Sequence, residues 1–209
     1  MRVLVPFDAT DPKSRLAPVL DSHERQAFSQ AMLADVVETL RATERDLTIR
    51  VVATDELSRD PPAAVEVDDR PLSPAIDARL DPTATEPVAV VMADLALATP
   101  AALTRLFDSP APLVFVPGLG GGTNAILARH GGLEVDYHGL SIADHRRGAE
   151  RVGLRWSELD SFRLAMDIDE PDDLLEVLIH TDGRARTWLD RAGFGIDVSA
   201  AGPALSRDR

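Results

Sequence analysis

Five apolar residues in a row, Val88-Ala89-Val90-Val91-Met92, narrow the folds open to this chain more than any other feature. A half-buried strand alternates apolar and polar residues, whereas an unbroken run of this length fits a central strand covered on both faces. Helices packed on each side of a parallel sheet give that cover. The first half of the chain agrees. Strand patterns at Val3–Phe7, Leu47–Thr54, Ala63–Val67 and Leu113–Val116 are interleaved with helical ones at Ser22–Ala42, Leu72–Leu80 and Thr99–Phe107. The first helix opens on Asp21-Ser22-His23-Glu24, a capping-box spacing with Asp21 as the cap. Thr99 caps the third, with Pro100 in its first position.

The second half is less regular. Its patterns predict a short helix over Asn124–Arg129, a strand over Leu133–Tyr137 and a helix over Ser141–Val152. Strands follow at Leu154–Trp156 and Phe162–Met166, then helices at Pro171–His180 and Arg184–Ala192. We expect one domain over residues 1–198 and a frayed tail over residues 199–209.

Composition excludes several classes. There is no cysteine, so disulfide scaffolds, thiolate metal sites and cysteine nucleophiles are ruled out. A net charge of −13 repels nucleic acid and anionic membranes, and neither is expected as a partner. The apolar run from Val88 to Leu97 is cut by Asp94 and is too short to span a bilayer. The first residues lack a signal-peptide pattern, so a soluble cytoplasmic protein is expected. An acidic excess in which Lys13 is the single lysine among 22 basic residues suits a salt-rich, halophilic cytoplasm, where charge repulsion is screened.

Candidate chemistry gathers after strand ends, where α/β sheets bind ligands. Lys13 lies just beyond the first strand, and a compact ammonium there suits phosphate, although solvated surface is the ordinary place for a lysine. Asp94 follows the central strand, as a metal ligand, base or helix cap. Asp167 and Asp169 alternate on an extended stretch, so they face the same side and form a hard-oxygen site for Mg²⁺. Asp169 or Glu170 serves equally as cap of the helix opening at Pro171. Gly120-Gly121-Gly122-Thr123-Asn124 lets backbone N–H groups approach an anion, but it is neither a P-loop nor a dinucleotide fingerprint. Ser141 is placed to cap the next helix, with His145 one turn in, and no nucleophile elbow is present.

In order, Lys13-Ser14-Arg15-Leu16, Met32-Leu33-Ala34-Asp35-Val36, Asp94-Leu95-Ala96-Leu97, Gly121-Gly122-Thr123-Asn124-Ala125, Ser141-x-x-x-His145 and Asp167-Ile168-Asp169-x-Pro171-x-Asp173-Leu174 resemble the 2-phospho-L-lactate guanylyltransferases. The resemblance implies a three-layer αβα nucleotidyltransferase fold with a mostly parallel mixed sheet, similar to that of molybdenum-cofactor guanylyltransferases. It implies Mg²⁺-dependent transfer of GMP from GTP to 2-phospho-L-lactate, with release of pyrophosphate, in biosynthesis of the deazaflavin coenzyme F-420. Lys13 and Arg15 would hold the triphosphate. Asp94, Asp167 and Asp169 would hold Mg²⁺. Gly121, Gly122, Thr123 and Asn124 would lie against the nucleotide or acceptor, and Ser141 and His145 against the acceptor. The partners implied are GTP and a small phosphorylated carboxylic acid, in a homodimer. Related members take phosphoenolpyruvate. The first loop departs from the family in carrying Asp8 and Asp11, and Ile142 stands where relatives carry an aromatic residue. Another Mg²⁺-dependent nucleotidyltransferase acting on a sugar or cofactor phosphate, and a non-catalytic nucleotide-binding protein, are the alternatives.

Overall fold

The computed structural model describes residues 1–57, 61–80, 83, 86–200 and 202–208. Its centre is a seven-stranded mixed sheet built from β1 (Arg2–Phe7), β2 (Thr48–Ala53), β3 (Ala64–Val67), β4 (Val88–Val91), β5 (Leu113–Pro117), β6 (Thr123–Ala128) and β7 (Trp156–Glu158), in the order β3-β2-β1-β4-β6-β5-β7. All neighbours run parallel except β6, which is antiparallel to both β4 and β5.

The central strand splits its side chains between two cores, as an unbroken apolar run must. Ala89 and Val91 join Val3, Val5 and Phe7 of β1 on one face. There they pack under α1 (Ser22–Arg41) and α3 (Pro100–Asp108). Val88 and Val90 join Leu4 on the other face. There they meet α2 (Leu72–Asp77) and α4 (Ser141–Arg151). A third cluster docks α6 (Asp173–His180) and α7 (Arg184–Arg191) onto Phe28 and Met32 of α1. The three-layer arrangement expected of the resemblance is the one present. Both capping expectations hold: Asp21 and Glu24 exchange the two bonds of a capping box, and the Thr99 side chain accepts from Ala102 N. No described helix is long and apolar enough to cross a membrane.

Several second-half expectations are overturned. Asn124–Ala128 belongs to β6 and not to a helix, and Arg129 lies just past the strand end. A turn in which Gly118 N bonds to Gly122 O and Gly121 N to Gly118 O folds the chain back beside β5. Ile126 then enters one core and Ala125 and Leu127 the other, a period of two that a six-residue window hides. Leu133–Tyr137 is extended but is no strand, because side chains take its amides. Val135 N bonds to Asp77 Oδ1, Asp136 N to His145 Nε2 and Tyr137 N to Ser73 Oγ. Phe162–Met166 is not a strand, since Phe162–Ala165 is a single helical turn, α5. The α6 helix opens at Asp173, not at Pro171. In place of a frayed tail, β8 (Phe194–Ser199) and β9 (Gly202–Arg207) form a two-stranded ribbon. Arg207 ties that ribbon to Glu24 and the Val19 carbonyl. Ala201 and Arg209 of the expected tail lie outside the described residues.

Candidate active site

A cavity of about 600 Å³ opens at the carboxyl ends of β1, β2 and β4, between the loop after β1 and the segment after β3. Lys13, Arg15, Asp94 and Asp169 line one part of it, and Thr54, Asp68, Asp69, Arg70 and Leu72 another. A larger groove, about 1450 Å³, runs between α1 and α7 and holds none of these groups. The smaller cavity is the candidate site, because charged groups converge there at the strand ends.

The loop after β1 is built by its own acids. Asp8 Oδ1 accepts from Thr10 N at 2.9 Å and from the Thr54 hydroxyl at 3.2 Å, pinning the loop to β2. Asp11 is paired with Arg25 at 2.6 Å, and Arg25 Nε also holds the Pro12 carbonyl. The two acids that set this loop apart therefore brace it, and Asp11 presents little net charge to a phosphate. Lys13 follows in the left-handed region, at φ 55°, where a residue with a Cβ is rarely found. Its ammonium reaches Asp94 Oδ2 at 2.6 Å and Asp169 Oδ1 at 2.5 Å. Burial works to lower the Lys13 pKa, but the two carboxylates outweigh it and hold the ammonium above its ordinary value. Arg15 takes the other oxygen of Asp169 from a more exposed position.

Asp169 is free for these partners because Asp173, and not Asp169 or Glu170, satisfies the turn before α6. Asp173 Oδ2 accepts from Asp169 N at 2.9 Å and Glu170 N at 2.7 Å. Ile168 between them is buried, and its N–H bonds to the Asp94 carbonyl, which fastens the 167–169 stretch beside the end of β4. Asp167 accepts from Asn124 Nδ2 at 3.1 Å. Burial first, then the nearby Asp94 charge, push the Asp167 carboxyl above the usual range. Asp94 Oδ1 is buried without a hydrogen-bond partner. Asp94 and Asp167 thus crowd each other, and among the described residues no group of three or more carboxylates and histidines gathers closely enough to hold a metal by itself, so a divalent ion held here would take its remaining ligands from substrate phosphate and water.

Gly121, Gly122, Thr123 and Asn124 divide between two roles. Gly121 stands at φ +82°, and a Cβ there would collide with Leu140 Cδ1. Asn124 is buried and spends its amide on the carbonyls of Leu164 and Ala165 as well as on Asp167. It is the strut that sets Asp167 beside Asp94. A Cβ on Gly118 would lie 2.6 Å from Asn124 Oδ1, so the strut needs that glycine. Thr123 faces α4 instead. Its hydroxyl lies 2.9 Å from His145 Nδ1 and 3.1 Å from Ser141 Oγ. Ser141 does not cap α4, since it is the first helical residue and its side chain is given to Thr123. His145 is fully buried, with Nε2 accepting from Asp136 N at 3.0 Å. Both ring nitrogens are used inside the fold, so His145 braces the wall behind Thr123. Burial lowers its pKa to about 4, so the ring is neutral.

Thr54 and the Asp68-Asp69-Arg70 segment were not singled out in the sequence, although Asp68 follows β3 as Asp94 follows β4. Asp68 is saturated, held by Arg70 through Nε at 2.8 Å and Nη2 at 2.6 Å and by Arg79 at 2.5 Å. The Arg70 and Arg79 bonds keep its carboxyl well below the usual range. Asp69 is exposed on the cavity wall.

The family model described as guanylyl transferase CofC like matches residues 1–207. A 2-phospho-L-lactate guanylyltransferase of Natronomonas pharaonis is 57% identical over 196 residues, covering 94% of each chain. Its counterpart in Haloferax volcanii is 56% identical over 209 residues, covering 100% of each. Among solved structures, a nucleotidyl transferase from Methanothermobacter aligns with 91% of this chain and 99% of its own at TM-score 0.58 and 14% identity. A 4-diphosphocytidyl-2C-methyl-D-erythritol synthase aligns with 85% of this chain and 96% of its own at TM-score 0.57 and 17% identity. At such identities these structures establish the fold alone.

Proposed function

The chain belongs to the family of CofC-like guanylyl transferases, and we propose that it transfers GMP from GTP to 2-phospho-L-lactate. An oxygen of the acceptor phosphate attacks the α-phosphorus of GTP, the bond from that phosphorus to the bridging oxygen breaks, and pyrophosphate leaves. The other product is lactyl-2-diphospho-5'-guanosine, an intermediate for the deazaflavin coenzyme F-420. The acceptor phosphate is already an anion, so no general base is required, and the protein has only to align the reactants and offset charge.

The observation that carries this reading is the convergence of Lys13, Arg15, Asp94 and Asp169 on one strand-end cavity, with Asp167 close behind Asp94, in a chain of net charge −13. A strongly acidic protein needs a local positive anchor for a triphosphate, and Lys13 with Arg15 supplies it. The orphaned Asp94 oxygen and the raised Asp167 carboxyl fit a hard divalent cation, so Asp94 and Asp167 would hold Mg²⁺, with Asp169 beside them. When bound, that ion offsets phosphate charge in the transition state. Asn124 keeps Asp167 in place. Thr54, Leu72 and Ala75 line the part of the cavity that would take the guanine base, with the exposed Asp69 carboxylate on the same wall as an acceptor for guanine N1–H and N2–H₂. The acceptor would lie against the Gly121–Gly122 backbone, which is held by Ile142 N on the Gly121 carbonyl and by Gly118 N on the Gly122 carbonyl.

The test is pyrophosphate release with each nucleoside triphosphate, Mg²⁺, and either phospholactate or phosphoenolpyruvate in concentrated KCl. Release with GTP and phospholactate is the expected outcome. A preference for phosphoenolpyruvate changes the acceptor and leaves the transfer intact. No release with GTP and either acid sinks the proposal.

A further inference from the structure

Lys13 is the single lysine of the chain, and it stands where an arginine would serve poorly. Its ammonium lies between Asp94 Oδ2 and Asp169 Oδ1, at 2.6 Å and 2.5 Å, with a side chain only 11% exposed. Of these two carboxylates, Asp94 is the one read above as a metal ligand. An ammonium is a compact point charge on a flexible stem, able to fill and vacate such a gap, whereas a guanidinium is a rigid planar fork.

We propose that Lys13 is the resident cation of the nucleotide-free site: its ammonium and the divalent metal compete for Asp94, and the triphosphate settles the competition by drawing the ammonium away. This rests on the reading of Asp94 as a metal ligand. Three observations carry it. Asp94 already spends one oxygen on Lys13, and its other oxygen is buried without a partner, so metal and ammonium would crowd one carboxylate as like charges. Lys13 and Arg15 pair with Asp94 and Asp169, which leaves a divalent ion little to gain from these two carboxylates while Lys13 stays. The loop on either side of Lys13 is fixed, by Arg25 on the Pro12 carbonyl and by Leu16 N on the Lys13 carbonyl. The side chain can therefore swing toward phosphate without moving its backbone. Metal and GTP then bind synergistically, and the lysine freed from Asp94 meets the triphosphate in the same event.

Mn²⁺ is the probe, read by electron paramagnetic resonance as free against bound ion. Wild type should bind Mn²⁺ alone at least about tenfold more weakly than Lys13→Gln does, and adding Asp94→Asn to Lys13→Gln should abolish that gain. A second measurement needs no variant at position 13. With one lysine, acetylation by an N-hydroxysuccinimide ester read by peptide mass reports Lys13 directly. Saturating Mn²⁺ should raise its acetylation several-fold in wild type, as the ammonium is evicted. Equal Mn²⁺ affinity in wild type and Lys13→Gln, or Mn²⁺ bound with Lys13 acetylation unchanged, overturns the inference while the transfer reaction stands. If neither protein binds Mn²⁺ even with a non-hydrolysable GTP analogue, the metal reading of Asp94 falls and this inference falls with it.

Discussion

His145 gives the most quantitative handle on this site. The ring is fully buried, lies 5.8 Å from the Phe115 ring in stacked orientation and meets the edge of Tyr137. Its Nε2 accepts from Asp136 N, so the ring proton sits on Nδ1 and is donated to Thr123 Oγ1. A second proton would have to enter at Nε2, against an amide N–H that already points there. Burial, partly offset by Asp136 and Asp144, places the folded pKa at about 4 against an ordinary 6.5. A depressed histidine pKa means that the unfolded chain takes up a proton the fold refuses. Its contribution to stability is present above 6.5 and is lost as pH falls toward 4. Integrating that linkage from about pH 7 to about pH 4.5 gives a loss of about 2 kcal/mol from this one group. Carboxylates titrate in the same window, so the measurement is a difference. Wild type and His145→Gln are unfolded by denaturant in concentrated KCl at both pH values. The glutamine offers one donor and one acceptor and does not titrate. Wild type should lose about 2 kcal/mol more than the variant across the window. Equal losses, within about 0.5 kcal/mol, would mean that the imidazole is not held neutral by its surroundings.

Other perturbations separate catalysis from stability. Asp94→Asn should lower pyrophosphate release by at least about a hundredfold with the far-ultraviolet circular dichroism spectrum kept, because the substitution removes charge at the reacting phosphates and little packing. Asp69→Asn should narrow the preference for GTP over ATP by about tenfold in kcat/KM, since an amide cannot accept both guanine donors; an unchanged ratio would place the base elsewhere. Asp35 caps the start of α7 through Arg184 N at 2.7 Å and Ala185 N at 2.8 Å, away from the cavity. Asp35→Ala should cost about 1 kcal/mol in denaturant unfolding and leave the KM for GTP unaltered.

Much of the first half was legible because each of its elements is specified locally. The doubly buried run of β4, the Asp21 capping box and the Thr99-Pro100 cap are short-range signals, and the sheet honours them. The second half was misread where long-range partners override local pattern. Thr123–Ala128 is a strand because β4 and β5 leave a gap for it, and a six-residue apolar stretch does not announce that. Leu133–Tyr137 looks like a strand and lacks one only because Asp77, Ser73 and His145 take its amides.

The sequence by itself determined the layered α/β class and the order of the family's motifs, and it singled out Lys13, Asp94, Asp167 and Asp169 as candidates, since strand-end position and residue chemistry are local properties. Only the tertiary structure decided what those residues do to one another. It brought Lys13 to Asp169 across 156 positions and turned Asn124 into the strut of Asp167. It also withdrew His145 from the cavity into the core and put the Asp68-Asp69-Arg70 segment on the wall. Charge pairing, desolvation and orphaned hydrogen-bonding groups depend on distances between segments remote along the chain, and those distances exist only once the sheet has closed them.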